Sequence, residues 1–257
     1  MSWGVALRNG LSLGLGAIPG LRNGNRWDPS RLQTQLWLDA ADANTVTLNG
    51  ATVSQINDKS GNGRNVTQAT AANQPAWGRG RNLLTYSEDF TNASWVKNEL
   101  TISAVSDFPP GVSAAFKMAE TATNGFHINR QLFTFSGATS YTATVYVKAA
   151  ERYIIQIAPF VGGVGGVDAL FNAQTGAATS GTSTAWTINS VSMTSVGNGW
   201  YRGQLSFTTT TGGTGFLDLR LIQPPSANSY AGTAGWGILA TGAQLNPGLT
   251  ADAYQKT

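Results

Sequence analysis

The sequence predicts an all-β protein. A jelly-roll β-sandwich is expected over residues 82–257, preceded by an extended N-terminal arm (1–31) and a small β segment (32–81). Three observations carry this. From Asn82 onward apolar residues recur with period two. Clusters of Gly, Asn and Thr break the runs. No segment holds an apolar stripe at helical spacing for three turns. Many short alternating runs with regular turn signals are the pattern of a sandwich or jelly roll.

The arm comes first. Residues 1–31 place Gly at 4, 10, 14, 16, 20 and 24 and Pro at 19 and 29, a density that defeats a stable helix. Leu7-Arg8-Asn9-Gly10 returns as Leu21-Arg22-Asn23-Gly24, and Asn-Gly is a strong turn signal. A secretory leader would use Arg8 and the apolar run 11–18, but that run is short, Gly-broken and followed by no clean cleavage site. A membrane span needs roughly 20 apolar residues, whereas Arg8 and Arg22 bracket only 13. The remaining reading is an anchoring arm. Its Trp3, Leu7, Arg8, Leu11, Leu13, Leu15, Ile18, Leu21, Arg22 and Trp27 need another surface for burial.

The middle segment follows. Residues 36–39 read as a short buried strand. Residues 45–48 and 53–56 alternate around Asn49-Gly50, and 58–63 form a Gly-rich loop. Asp39, Asp42 and Asn44 have the spacing of oxygen ligands for Ca²⁺, but the full loop pattern is absent. Asp and Asn also cap turns through their own backbone, so calcium stays open at this stage. Leu38-Asp39-Ala40-Ala41-Asp42 and Ile56-Asn57-Asp58-Lys59-Ser60-Gly61-Asn62-Gly63 resemble the opening of concanavalin-like, laminin-G-type lectin modules. The likeness covers about 40 residues of a module more than a hundred residues longer, so no sugar site is carried over from it.

In the body, 141–148 puts Tyr141, Ala143, Val145 and Val147 on one face. A second strand is expected at 153–158. Residues 200–207 turn Tyr201, Gly203, Leu205 and Phe207 inward, and 216–222 alternates Leu217, Leu219 and Leu221 against Asp218 and Arg220. The stretch 238–245 closes the domain.

Asn82-Leu83-Leu84-Thr85-Tyr86-Ser87-Glu88-Asp89-Phe90 with Trp95, then 141–148, Val196-Gly197-Asn198-Gly199-Trp200-Tyr201-Arg202 and Gly242-Ala243-Gln244-Leu245 follow one another in a family order. They resemble a jelly-roll module common in structural proteins of tailed bacteriophages. Residues 248–254 resemble that module's closing strand. Asn246 departs from the Glu usual there. The resemblance spans 82–254. It implies a fold similar to carbohydrate-binding jelly rolls and a virion location. The favoured expectation is a tail fibre or tail-side appendage. A capsid decoration or head-fibre protein is the alternative, and a free carbohydrate-binding module a further one. The expected partners are other virion proteins, further copies of the chain (a trimer among the options) and a host-surface glycan.

Composition narrows the chemistry. Only 11% of the 257 residues are charged, against about 25% in typical domains. Residues 1–82 carry a net +4 and 83–257 a net −1. With no Lys/Arg run, nucleic acid is not an expected partner. There is no Cys and one His, which excludes disulfides, thiolate metal sites and any two-histidine mechanism. No cofactor or metal is demanded by a motif. Glu88-Asp89 is the only adjacent acidic pair, and glycoside hydrolysis needs two carboxyls flanking the bond. His127 lies in a strand-like run with no G-x-S-x-G elbow in the chain. No catalytic residue is therefore expected. Of the eight tryptophans, Trp95 and Trp200 fall in the shared motifs and are expected in packing. Trp186 and Trp236 are the candidates for glycan or subunit contact.

Overall fold

A computed structural model describes residues 34–40, 42–49, 52–75 and 82–257. The predicted arm, with Trp3, Leu7, Arg8, Leu11, Leu13, Leu15, Ile18, Leu21, Arg22 and Trp27, lies outside the described residues. The chain divides between Arg79 and Gly80 into two units, each taken by itself.

In the first unit the alternating runs form a three-stranded antiparallel sheet: β1 (Val46–Asn49), β2 (Thr52–Ile56) and β3 (Val66–Thr67), in that order. Residues 36–39 are not the expected buried strand. Leu38 makes a single bridge to Asp58, and Leu36 and Leu38 face solvent. The physical reason is local. The backbone there is taken up by the 58–64 loop instead of a strand neighbour: Trp37 N donates to Asp58 Oδ1, and Lys59 N donates to the Trp37 carbonyl. Asp58 also accepts from Ser60 N, Ser60 Oγ and Arg64 N. The Asp-Lys-Ser-Gly-Asn-Gly stretch is thus a loop wound around one carboxylate.

These bonds, led by that from the Trp37 amide, hold the Asp58 carboxyl far below the usual carboxylate range. A depressed folded pKa gives stabilisation that is present above the unfolded value, about 3.9, and is lost as pH falls through the folded one. The Ser60 and Arg64 amide resonances are expected to stay fixed from neutral pH down to about pH 3 and to move only below it. Titration at an ordinary carboxylate pH would contradict this network.

The second unit contains β4 (Trp95–Asn98), β5 (Leu100–Val105), β6 (Ala115–Glu120), β7 (Asn124–Gly125), β8 (Ile128–Phe135), β9 (Ser140–Lys148), β10 (Ile154–Val161), β11 (Gly165–Asn172), β12 (Ala177–Thr184), β13 (Thr187–Gly197), β14 (Trp200–Thr208), β15 (Gly213–Ile222), β16 (Tyr230–Ala231) and β17 (Gly237–Pro247). They form two six-stranded antiparallel sheets, β12-β11-β10-β15-β8-β4 and β13-β14-β9-β17-β6-β5, with β16 and β7 paired separately. This is an all-β, jelly-roll-like sandwich.

The predicted inward residues, except half-buried Tyr201, meet in one core. Tyr141, Ala143, Val145 and Val147 face Ile155, Ile157, Leu217, Leu219 and Leu221 across the two sheets. Phe135, Tyr141, Trp186 and Phe207 form an aromatic cluster at one part of it, with Trp186 and Phe207 nearly parallel at 5.8 Å. Edge-to-face and offset pairs of this kind add about 0.5–1.5 kcal/mol each beyond area burial.

The opening motif is a clasp between the sheets. Leu83 N donates to the Leu245 carbonyl of β17, and Thr85 exchanges two hydrogen bonds with the Gln131 amide of β8. Buried Asn82 bonds Ala243 O, Leu84 N, Leu245 N and Gln255 O. Trp95 is in the core, its indole N–H on the Tyr86 carbonyl. Trp200 packs outside the second sheet with Val112, Ala115 and Tyr146, and donates to Asp107.

The expected closing strand over 248–254 is not a strand. β17 already lies between β9 and β6, and Gly248, at φ +96, turns the chain out of the sheet. The tail then crosses the outer face of the second sheet. Thr142 Oγ1 donates to Gly248 O, Ser206 Oγ to Leu249 O, Asn246 Nδ2 to Thr250 O and Arg202 to Asp252 O. Tyr254 stands edge-on to Tyr146 and shares a hydrogen bond with Ser87. This is why β9 is buried on both faces.

Candidate functional site

Trp186 does not offer an exposed contact. Its side chain is 2% exposed, in the core, and its indole N–H donates to the Thr211 carbonyl. The reason is the crossing it makes. The chain passes from β12 in one sheet to β13 in the other through Ala185, at φ +58, and Trp186, so a large ring at that corner fills the gap between the layers.

Trp236 is different. It lies in the turn before β17, with its N–H on Thr233 O and its carbonyl accepting Glu120 N, and it is 44% exposed. The Arg152 guanidinium stands 5.0 Å from the Trp236 ring centre and 5.4 Å from that of Tyr230. The stacking is held from behind. Arg152 Nη2 bonds Glu120 Oε1 at 2.6 Å and Nε bonds Oε2 at 3.3 Å, with both side chains almost wholly buried. Glu120 Oε1 also accepts Thr233 N, so one carboxylate fixes both the cation and the turn that carries the indole.

The neighbouring carboxylate is open. Glu151 accepts Gly237 N and pairs with Lys117, with 43% of its side chain exposed. The Lys117 hydrogen bond holds Glu151 below its ordinary pKa, so it is an anion at neutral pH. An open indole on a fixed cation, with an adjacent carboxylate and ammonium, offers one flat apolar surface and several hydrogen-bonding groups at its rim. Such a surface fits a polyhydroxylated ring or an amphipathic protein contact.

Sequence reasoning found Trp236 but not its supports. Glu120 and Arg152 are 32 residues apart on different segments. The only trace in the sequence is a charged pair, Glu151-Arg152, interrupting two apolar runs.

The other polar groups singled out in the sequence are engaged within the fold. His127 is buried, with Nδ1 2.8 Å from Glu99 O and Nε2 3.3 Å from Tyr230 O. Glu88 is buried and accepts Ser113 N and Oγ and pairs with Lys256, while Asp89 caps the turn at Thr91. Asp39 and Asp42 both bond Lys59 Nζ, at 3.1 and 2.9 Å, and Asn44 bonds Asp42. The ammonium occupies the position between the two carboxylates that a cation would need. Among the described residues no group of three or more His, Asp or Glu is arranged to hold a metal, and no helix is long and apolar enough to cross a membrane.

A groove of about 470 Å³ opens on the first sheet, lined by Phe160, residues 162–166, Asp168, Thr182 and Arg220. Its charged groups are engaged by neighbouring side chains and backbone. Asp168 accepts Gln156 Nε2 and Thr182 N, while Arg220 bonds Asp218 and Gln156. Asp218, expected to point to solvent, is closed over by Arg130 and Arg220, both 2.9 Å from its Oδ2. Burial pushes the Asp218 carboxyl up, against the pull of the two arginines.

No family model matches the chain, and no curated protein matches it.

Proposed function

We propose that the chain is a non-catalytic structural protein of a tailed-phage virion, a tail-side appendage. Its arm (1–31) anchors it to neighbouring virion proteins, and its sandwich presents the Trp236 surface to a host glycan or an adjacent subunit. The observation that carries the binding part is the exposed indole pinned by Arg152 and Glu120 beside the open Glu151 carboxylate. A rigid aromatic surface costs little ordering entropy on binding. The virion part rests on the motif resemblance over 82–254. It is supported by where those motif residues sit, in the clasp, the core and the tail contacts, as expected of a likeness carried by fold.

The test uses the full chain on an array of bacterial surface polysaccharides, beside Trp236→Ala. The expected result is binding by the wild type and a loss of at least about tenfold in the variant, equivalent to 1.4 kcal/mol. The variant should stay folded by circular dichroism, with only a small fall in melting temperature from the lost stacking on Arg152. Equal binding by both proteins would remove the site. Deleting residues 2–26 should abolish incorporation into particles, and normal incorporation would end the anchoring role. Density on the shell instead of the tail would replace the appendage with capsid decoration.

A further inference from the structure

The two flanks of the sandwich are built differently. On one, the edges are β4, four residues long and carrying Lys97, and β5, six residues long and bounded by Glu99 and Asp107. Short edges and charges are the usual means of blocking edge-to-edge pairing. On the other flank the edges are β12, eight residues, and β13, eleven residues. Between Asp168 and Arg202 there is no Lys, Arg, Asp, Glu, His or Pro. Neither charge nor proline blocks that side.

β13 has register shifts near its two ends, but Ser190 to Ser195 runs regularly against β14. Within that run Val191 and Met193 pack half-buried against the core, while Ser190, Ser192 and Thr194 are exposed on the opposite face. A strand at a sheet edge leaves a row of backbone N–H and C=O groups unpaired.

We propose that this edge pairs with the same edge of a second copy of the chain, antiparallel, about a two-fold axis through Ser192. The register follows from the faces. Residues directly opposite each other must lie on the same side of the sheet. A two-fold at Ser192 sets Ser192 against Ser192, Val191 against Met193 and Ser190 against Thr194. The half-exposed Val191 and Met193 then cover one another on the core side, and the hydroxyls form a ladder on the outer side. In a self-pair the side chain on the axis meets its own copy, so a charge there would face a like charge. The neutrality of β13 is what selects a second copy over a charged partner. β12 leads into β13 through two residues, so the same axis brings the β12 edges to one boundary. This inference does not depend on the virion reading, since it concerns a different surface and a measurement on purified protein.

The absence of cysteine makes the test direct. Ser192→Cys in the full chain should give a reducible dimer under mild oxidation, because directly opposed Cβ atoms are about 4.5–5.5 Å apart, near disulfide reach. Ser190→Cys should not, since its own copy would lie four residues along the strand, roughly 13 Å away. Ser103→Cys on β5 is the matched control. By sedimentation, the wild type should be a dimer at micromolar concentration. Ser192→Lys should raise the dissociation constant at least about tenfold, and Ser103→Lys should leave it unchanged. A monomeric wild type, cross-linking by Ser190→Cys equal to that by Ser192→Cys, or a dimer or trimer indifferent to Ser192→Lys would each overturn the proposal. Retained circular dichroism in Ser192→Lys separates lost pairing from lost folding.

Discussion

Arg152→Ala should lower the stability of the sandwich by about 3–5 kcal/mol, the usual cost of stranding one member of a buried ion pair. The Glu120 side chain is inaccessible to solvent and its two oxygens are taken by Arg152 Nη2 and Nε, with Thr233 N on one of them. Removing the guanidinium takes both ion-pair contacts from a carboxylate that is wholly buried in the intact chain and leaves it the Thr233 amide. At about 2–4 °C per kcal/mol for a domain of 150–250 residues, the melting temperature should fall by roughly 6–20 °C. The double variant Arg152→Met, Glu120→Leu should recover much of the loss, because no uncompensated charge remains. It should not recover ligand binding, since the cation that backs Trp236 is gone. A loss below about 1 kcal/mol in Arg152→Ala, within the range of solvent-exposed pairs, would show that the pair is not desolvated and that Trp236 is not rigidly held.

Removing residues 248–257 should cost a comparable amount, on the order of 5 kcal/mol. The tail accepts or donates hydrogen bonds at Thr142, Ser206, Asn246, Arg202, Gln244, Asn82 and Ser87. Each is worth about 1 kcal/mol net, and water can replace those that become exposed. Burial of Tyr254 against Tyr146 adds about 1.5–3 kcal/mol at most. The truncated chain should unfold at lower denaturant, with amide exchange rising first in β9, β14 and β17, whose outer faces it uncovers. Asn82→Ala should reproduce part of the effect, about 1–3 kcal/mol, because it strands the groups that tie β17 to the clasp. An unchanged midpoint in the truncated chain would mean that the tail lies loosely on the sheet.

Both predictions fall where the sequence was least legible. The strands over 141–148, 200–207 and 216–222 were readable because alternation reports directly on which face is buried. Alternation says nothing about a second covering layer. Thr142 and Thr144 lie on the face opposite Tyr141, Ala143, Val145 and Val147 and are nonetheless buried, Thr142 bonded to Gly248 of the tail and Thr144 to Arg202. Asp218 read as an outward charge and is outward, yet inaccessible, because Arg130 on β8 and Arg220 on its own strand fold over it. Residues 36–39 read as a strand from their apolar character, and the winding of the backbone around Asp58 decided otherwise.

The tryptophans show the same division. Trp186 and Trp236 were equal candidates in the sequence, each beside small residues and turns. One closes the corner between two sheets and the other stands open on a guanidinium. The difference lies in which strand each precedes and in partners far away along the chain.

The sequence by itself determined the all-β class, the positions of several central strands with their inward faces, and the absence of thiol or two-histidine chemistry. These depend on residue types and on spacing within a few positions, which the chain states locally. The tertiary structure alone decided the Glu120–Arg152 support for Trp236, the burial of Trp186, the course of the tail and which two strands are left as long neutral edges. Those depend on contacts between residues tens of positions apart, whose pairing exists only once the two sheets have closed on each other.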